Sequence, residues 1–303
     1  MLLINPASRR GQSARPEVAR ALESRGLQVV EASEENPQNF GEIIRRFASR
    51  IDMVVVGGGD GTIRSVLPEL METKLPLGVI PLGTANNLSR NLGIPQSLEG
   101  ACDTIGQGAI RLISIGRVNG QLFLNVAGLG LSSQINLGIP KDLRRKLGVM
   151  AYAVWAMKVF RRTQSFHAEV VVDGKATRVR ALQITVCNGR FYGAGMTVSP
   201  DATIEDDYLD LISTEVEHWW NGLLLLPTMW KGTHDPAKGV QVFRGKEIEI
   251  RTRRKLWIDT DGEVTTFTPA HFSIQPQALR VMVPQVVASD TEAALRTPAQ
   301  QPI

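Results

Sequence analysis

Cysteine is scarce: Cys102 and Cys187 are the two in 303 residues, and no CxxC or other metal-ligand spacing joins them. A disulfide framework and a zinc site are therefore not indicated, and the chain suits a reducing cytosol. An excess of one charge is also missing, since 34 basic side chains meet 30 acidic ones for a net charge of +4. That balance gives no argument for nucleic acid as a partner, although local basic clusters point weakly to anionic surfaces. No apolar run reaches the roughly 18 residues needed to span a bilayer, and the first strand candidate starts at Leu2, which leaves no room for a signal peptide. The expectation is a cytoplasmic protein, neither secreted nor integral. His234 has no Ser or Cys nucleophile nearby and reads as a bystander. Otherwise, 43% hydrophobic and 21% charged residues are ordinary for a globular chain long enough for two domains.

What the sequence does have is glycine concentrated at one point. Residues 53–62 read MVVVGGGDGT. Val54, Val55 and Val56 suit a buried parallel strand. Without Cβ atoms, Gly57, Gly58 and Gly59 can take positive φ and let backbone N–H groups point at an anion, while Gly61 and Thr62 open a helix whose start favours negative charge. Asp60 narrows the chemistry, because a carboxylate beside a phosphate is repulsive unless a divalent cation or a transferable proton lies between them. The plainer alternative is a glycine-rich turn whose Asp caps a helix. A second turn, residues 77–92 (LGVIPLGTANNLSRNL), repeats the plan. Two such turns on neighbouring strands would form one cleft. A third element, residues 256–263 (LWIDTDGE), delivers Asp259, Asp261 and Glu263 from a strand, with Gly262 as the turn. Alternation is expected to place the three acids on one side.

Strand and helix alternate up to about residue 112: strands at 2–5 and 27–31, helices at 16–24, 40–48 and 62–71, the last kinked or shortened by Pro68. This argues for an open, mostly parallel sheet with helices on both faces. From residue 113 the texture changes to short apolar runs with hairpin markers at 118–121 (VNGQ), 172–175 (VDGK) and 188–189 (NG), so this part is mainly β. Residues after Pro284 are polar and rich in Ala, Gln and Pro, and read as a disordered tail. The division is 1–112 for an α/β domain, 113–284 for a β-rich domain, and 285–303 for the tail.

With GGDGT at 58–62, PxGTxN at 81–86 and DGE at 261–263, the chain resembles the diacylglycerol kinase catalytic-domain family, which includes diacylglycerol, sphingosine, ceramide and bacterial lipid kinases. The resemblance runs from Ile4 to about Val283. It implies an NAD kinase/diacylglycerol kinase-like α/β domain and a mainly β C-terminal sandwich, with ATP as co-substrate, Mg2+, and a lipid alcohol as acceptor. Gly58, Gly59, Gly61, Thr62 and Thr84 would cradle the phosphates. Asn5, in an Asn-Pro-x-Ser turn, and Ser33 would lie near the nucleotide. Asp60 and Glu263 would hold magnesium, and Asp261 would be the general base. A second magnesium, away from the reaction, would take Asp206 through its side chain and Thr203 and Tyr208 through their carbonyls; Asp207 replaces the usual glycine there. The chain departs from the family pattern at Arg9, Arg64, Ser65 and Asn87, the last where many relatives carry aspartate. Two rivals follow: an NAD kinase, which shares GGDGT and a β-domain, and a non-catalytic nucleotide- or lipid-binding protein.

A lipid acceptor also implies peripheral contact with a membrane surface. The candidates are Trp219 and Trp220 beside the leucine run within 218–230, with Arg144, Arg145 and Lys146 at one end of a helix over 140–162; both stretches also read as core-packed helices. A homodimer is compatible with this reading, and nucleic acid is not expected as a partner.

Overall fold

The structure, a computed structural model, describes residues 1–8, 11–31, 36–138, 155, 157–189, 191–192, 196–197, 203–215 and 239–285. Ser33, the tryptophan-rich run at 218–230, His234, the basic cluster at 144–146 and the tail from 286 lie outside the described residues.

The chain opens with β1 (Leu2–Ile4), α1 (Gly11–Glu23), α2 (Phe40–Phe47), β2 (Val54–Gly58), α3 (Asp60–Arg64), α4 (Leu67–Thr73), β3 (Leu77–Pro81), α5 (Asn87–Asn91) and α6 (Leu98–Gln107). β1, β2 and β3 pair in parallel, and every residue of the three is buried. That is what β-branched runs with no polar face demand, since helices must cover both sides. Val18 and Leu22 of α1, Ile44 of α2, Leu67 and Leu70 of α4, and Ala101 and Ile105 of α6 join these strands in one core. Two expectations change here. The helix expected over 62–71 is two helices, broken so that Pro68 falls in the first turn of α4, where its missing N–H costs nothing. Residues 27–31 form no strand: Leu2 N donates to Val30 O at 2.9 Å, and Glu31 makes one isolated bridge to Leu2. Val30 is exposed at this sheet edge, so nothing buried favours extending the ladder.

The remaining elements are β4 (Ala109–Val118), β5 (Gln121–Phe123), β6 (Val126–Gly130), α7 (Leu131–Gly138), β7 (Phe166–Val172), β8 (Lys175–Ala181), β9 (Gln183–Cys187), β10 (Phe191–Tyr192), β11 (Met196–Thr197), β12 (Leu209–Thr214), β13 (Val240–Gly245), β14 (Glu247–Thr252), β15 (Trp257–Thr260), β16 (Glu263–Phe267) and β17 (Ala270–Val283). The final strand links the two halves. β17 lies parallel to β3 at Val281↔Leu77 and antiparallel to β4 and β14, giving a nine-stranded sheet of order β1-β2-β3-β17-β14-β7-β8 with β4 and β5 attached through β17. A six-stranded antiparallel sheet, β13-β12-β9-β6-β15-β16, faces it. Val170, Ile248, Ile250 and Phe272 from the first sheet pack with Leu129, Ile184, Val186, Leu211 and Ile258 from the second in one sandwich core. Among the described residues, no helix is long and apolar enough to cross a membrane.

Three hairpins share one turn. Asn119-Gly120, Asp173-Gly174 and Asp261-Gly262 each join paired strands, and their φ values are +47 and +85, +44 and +86, and +49 and +89 degrees. Positive φ at both central residues is the two-residue turn that Asx-Gly favours. Asn188-Gly189 is no hairpin: Asn188 is 1% exposed, and its Nδ2 donates to Ser114 O and Leu124 O, both at 2.8 Å.

Candidate active site

The two glycine-bearing turns meet because neither has side chains at the point of contact. A Cβ on Gly83 would lie 2.5 Å from the Gly59 Cα and 2.7 Å from Asn86 Oδ1, and one on Gly58 would lie 2.6 Å from the Thr62 side chain. The glycines at 57–59 do not use the positive φ open to them; Gly59 sits at φ −98°. Close approach of backbones, not left-handed geometry, is what requires glycine here. Thr62 is buried, and its Oγ1 receives Asn5 Nδ2 at 2.9 Å, tying the turn after β1 to the start of α3. Thr84 is exposed at the second turn. Asn86 shapes that turn through Gly83, accepting its N–H at 2.9 Å and donating to its carbonyl at 3.1 Å.

Asp60 joins the two turns. Its Oδ2 accepts the Asn87 N–H at 3.0 Å and its Oδ1 the Leu88 N–H at 2.9 Å, so a carboxylate from the first turn caps the helix of the second. Asn87 Oδ1, on the residue whose backbone N–H Asp60 accepts, is buried without a hydrogen-bond partner. Such an orphaned oxygen on a residue hydrogen-bonded to a carboxylate fits a hard cation, which takes amide and carboxylate oxygens alike.

The DGE turn reaches the same place from the other sheet. A Cβ on Gly61 would lie 3.7 Å from Glu263 Oε1. Arg64, at the end of α3, donates through Nη1 to Thr260 Oγ1 at 2.7 Å and through Nη2 to Glu263 Oε2. Asp261 is held by the chain between β5 and β6: Leu124 N donates to Oδ2 at 2.7 Å, and Asn125 N and Val126 N donate to Oδ1 at 2.9 and 3.2 Å. Burial pushes its carboxyl up, and the charge of Asp60 adds to this, while the backbone donors pull the other way; the result is about 6.

The three acids of residues 256–263 do not share a side. Asp261 is the turn residue, so Glu263 lies on the returning strand. Asp259 is 1% exposed and accepts Ser132 Oγ at 2.7 Å, and Ser132 also receives Gln183 Nε2 at 3.0 Å. Burial, opposed by the Ser132 hydroxyl and reinforced by the charge of Asp261, raises the Asp259 carboxyl to about 6. Nothing in the sequence marks Ser132, Gln183 or the backbone of 124–126 as neighbours of this turn. Arg64 left one signal only, as a departure from the family pattern.

The acidic turn at 203–208 stands apart. Asp206 Oδ1 accepts the Tyr208 N–H at 3.0 Å, its Oδ2 accepts Arg244 Nη2 at 2.6 Å, and the Thr203 carbonyl faces the Asp206 N–H at 3.4 Å. Arg244 already offsets the charge of Asp206 and occupies one of its oxygens, so a magnesium ion here would have to displace that guanidinium. Among the described residues, no three His, Cys, Asp or Glu side chains cluster as metal ligands.

The family model described as "Diacylglycerol kinase catalytic domain" matches residues 1–118, and that described as "YegS C-terminal NAD kinase beta sandwich-like domain" matches residues 125–283. A diacylglycerol kinase from Mycobacterium tuberculosis (strain H37Rv) is 30% identical over 294 residues, 93% of this chain and 94% of that one. The diacylglycerol kinase of Bacillus subtilis (strain 168) is 28% identical over 244 residues, 80% of each chain. A solved structure of a diacylglycerol kinase from Bacillus anthracis superposes with a TM-score of 0.72 at 21% identity, covering 94% of this chain and 97% of that one, and shows the common fold.

Proposed function

The chain belongs to the diacylglycerol kinase-like lipid kinases, and from that premise we propose that it transfers the γ-phosphoryl group of ATP to a hydroxyl of diacylglycerol or a related lipid alcohol. The observation that carries this reading is the meeting of the Asp60 and Asp261 turns, which come from two different sheets: a Cβ on Gly61 would lie 3.7 Å from Glu263 Oε1, and Arg64 reaches both Thr260 and Glu263. A phosphate-handling turn and a carboxylate tuned toward neutrality are two of the parts that phosphoryl transfer to an alcohol needs.

In this reading the backbone of Gly58, Gly59 and Gly61, with Thr62 and Thr84, receives the phosphates, and Asn5 orients Thr62. Asp60 and Asn87 Oδ1 would hold magnesium, which supplies charge neutralisation to the phosphates when bound. Asp261 takes the hydroxyl proton. Its Oδ2 accepts a single backbone N–H and keeps a lone pair for that proton. A carboxyl at about 6 is mostly ionised at pH 7 and still basic enough to act.

The acceptor would be reached at a bilayer surface by a cytoplasmic, peripherally bound enzyme. Among the described residues, Trp257 and Phe267 are 51% and 38% exposed and stack edge to face at 5.7 Å, with Lys255 Nζ 4.5 Å above the Phe267 ring. Exposed Arg253 and Arg254 adjoin them. Exposed indole and phenyl rings beside basic side chains suit an anionic interface.

The test is product analysis after incubation with ATP, magnesium and vesicles containing diacylglycerol, a sphingoid base, ceramide or a polyprenol, with NAD in parallel. A phosphorylated lipid is expected, with diacylglycerol among the acceptors. Phosphorylation of NAD and of no lipid would overturn the proposal.

A further inference from the structure

Arg64 stands at the point where the two halves of the site touch. It ends the short helix that Asp60 opens, and its side chain is 15% exposed. Its guanidinium contacts both Thr260 and Glu263. Those two residues are the paired positions that bracket Asp261-Gly262. One side chain from the glycine turn thus grips both ends of the turn that presents Asp261.

We propose that Arg64 is a positioning residue that links these two turns directly, and that Glu263 serves as its anchor and not as a ligand of the divalent cation. This deepens, and rests on, the kinase reading above. A guanidinium is permanently charged and presents a rigid fork of donors, so it can hold two acceptors at fixed separation. A divalent ion on Glu263 would have to displace that fork or sit beside a like charge. The surroundings agree. The neighbouring position 87 carries a neutral amide, with Oδ1 buried and unpartnered, so the oxygens available to a cation lie on the Asp60 side. The acidic turn shows the same pattern, with Arg244 against Asp206. In both places a carboxylate suited to a metal faces an arginine of this chain.

The experiment is a Mn2+ titration followed by electron paramagnetic resonance in the presence of ADP, using the full chain. It compares wild type, Asp60→Asn, Glu263→Gln, Arg64→Asn and the double variant Arg64→Asn/Glu263→Gln. Asp60→Asn should weaken Mn2+ binding about tenfold or more, the scale of a lost ligand or its partner, whereas Glu263→Gln should stay within about twofold of wild type. Arg64→Asn frees Glu263 and removes a like charge, so it should bind Mn2+ several-fold tighter, and the double variant should lose that gain. Turnover supplies the second readout: Arg64→Asn should lower kcat with little change in the KM for ATP, and Arg64→Lys should recover part of the loss. A melting temperature for each variant separates misplacement of Asp261 from unfolding. Glu263→Gln weakening Mn2+ binding as much as Asp60→Asn would overturn the inference and leave the kinase reading standing. A wild-type chain that binds no Mn2+ with ADP would overturn the kinase reading, and the inference with it.

Discussion

Asp173-Gly174 and Asp261-Gly262 are the same turn in two settings. Their backbone angles agree within a few degrees, and each aspartate accepts N–H bonds from a neighbouring segment: Asp173 from Lys246 and Glu247 at 3.1 and 3.0 Å, Asp261 from residues 124–126. The Asp173 turn faces solvent. The Asp261 turn lies against the start of α3, with its aspartate half-buried and Arg64 holding its flanks. At these two sites the turn type follows the dipeptide, while chemical capability comes from what the fold brings against the side chain.

The comparison breaks most sharply through the charge that faces one turn and not the other. Asp60→Asn removes that charge and one of the two acceptors capping α5. We expect kcat/KM to fall by about 100-fold, while Asp173→Asn leaves it within about twofold; steady-state rates on diacylglycerol vesicles decide. Next in size is Gly83→Ala, which forces a Cβ to 2.5 Å from the Gly59 Cα and drives the two glycine turns apart. Overpacking of this kind costs about 1–3 kcal/mol, to be read by denaturant unfolding, together with weaker ATP binding.

Acid should sharpen the contrast. With Asp261 at about 6, kcat/KM should decline below about pH 6, approaching tenfold per unit. Asp259 gives a matching stability effect. Its carboxyl is raised in the folded chain from 3.8 to about 6, so its contribution is fully present below the unfolded value and is lost as pH rises through about 6. Asp259→Asn removes that loss and keeps an acceptor for Ser132. Relative to wild type, the variant should therefore be more stable at pH 8 than at pH 4.5, by on the order of 1–3 kcal/mol; equal differences at the two pH values would contradict the assignment. The smallest effect belongs to the far end of the Asp261 hairpin. Trp257→Ala with Phe267→Ala should reduce co-sedimentation with anionic vesicles several-fold at low salt and hardly at all at high salt.

Much of the frame could be read directly from residues. The valine run of β2, the apolar β3 and the turns at Asn119-Gly120 and Asp173-Gly174 obey local rules, and the structure agrees with them, with Asn188-Gly189 as the exception. Residues 27–31 looked equally strand-like, but a strand at an open edge needs a partner and a buried face, and only Leu2 answers there. The site was legible as three motifs, without their mutual geometry. That glycines 58, 59 and 83 are needed for contact, that Asp259 turns to Ser132, and that Arg64 spans to Thr260 and Glu263 are consequences of pairings across nearly the whole chain. β17 returning to β3 is the clearest case: no local pattern announces that residue 281 will lie beside residue 77.

The central claim is that the Asp60 and Asp261 turns form one phosphoryl-transfer site. Its most direct test follows label from ATP, carried in separate reactions at the γ or the α position, into lipid extracted from diacylglycerol vesicles, for wild type and for Asp261→Asn. The account predicts γ label in lipid with wild type, no α label, and a rate about 100-fold or more lower in the variant although it still binds ATP and magnesium. Lipid left unlabelled by wild type, or labelled equally fast by Asp261→Asn, would contradict it.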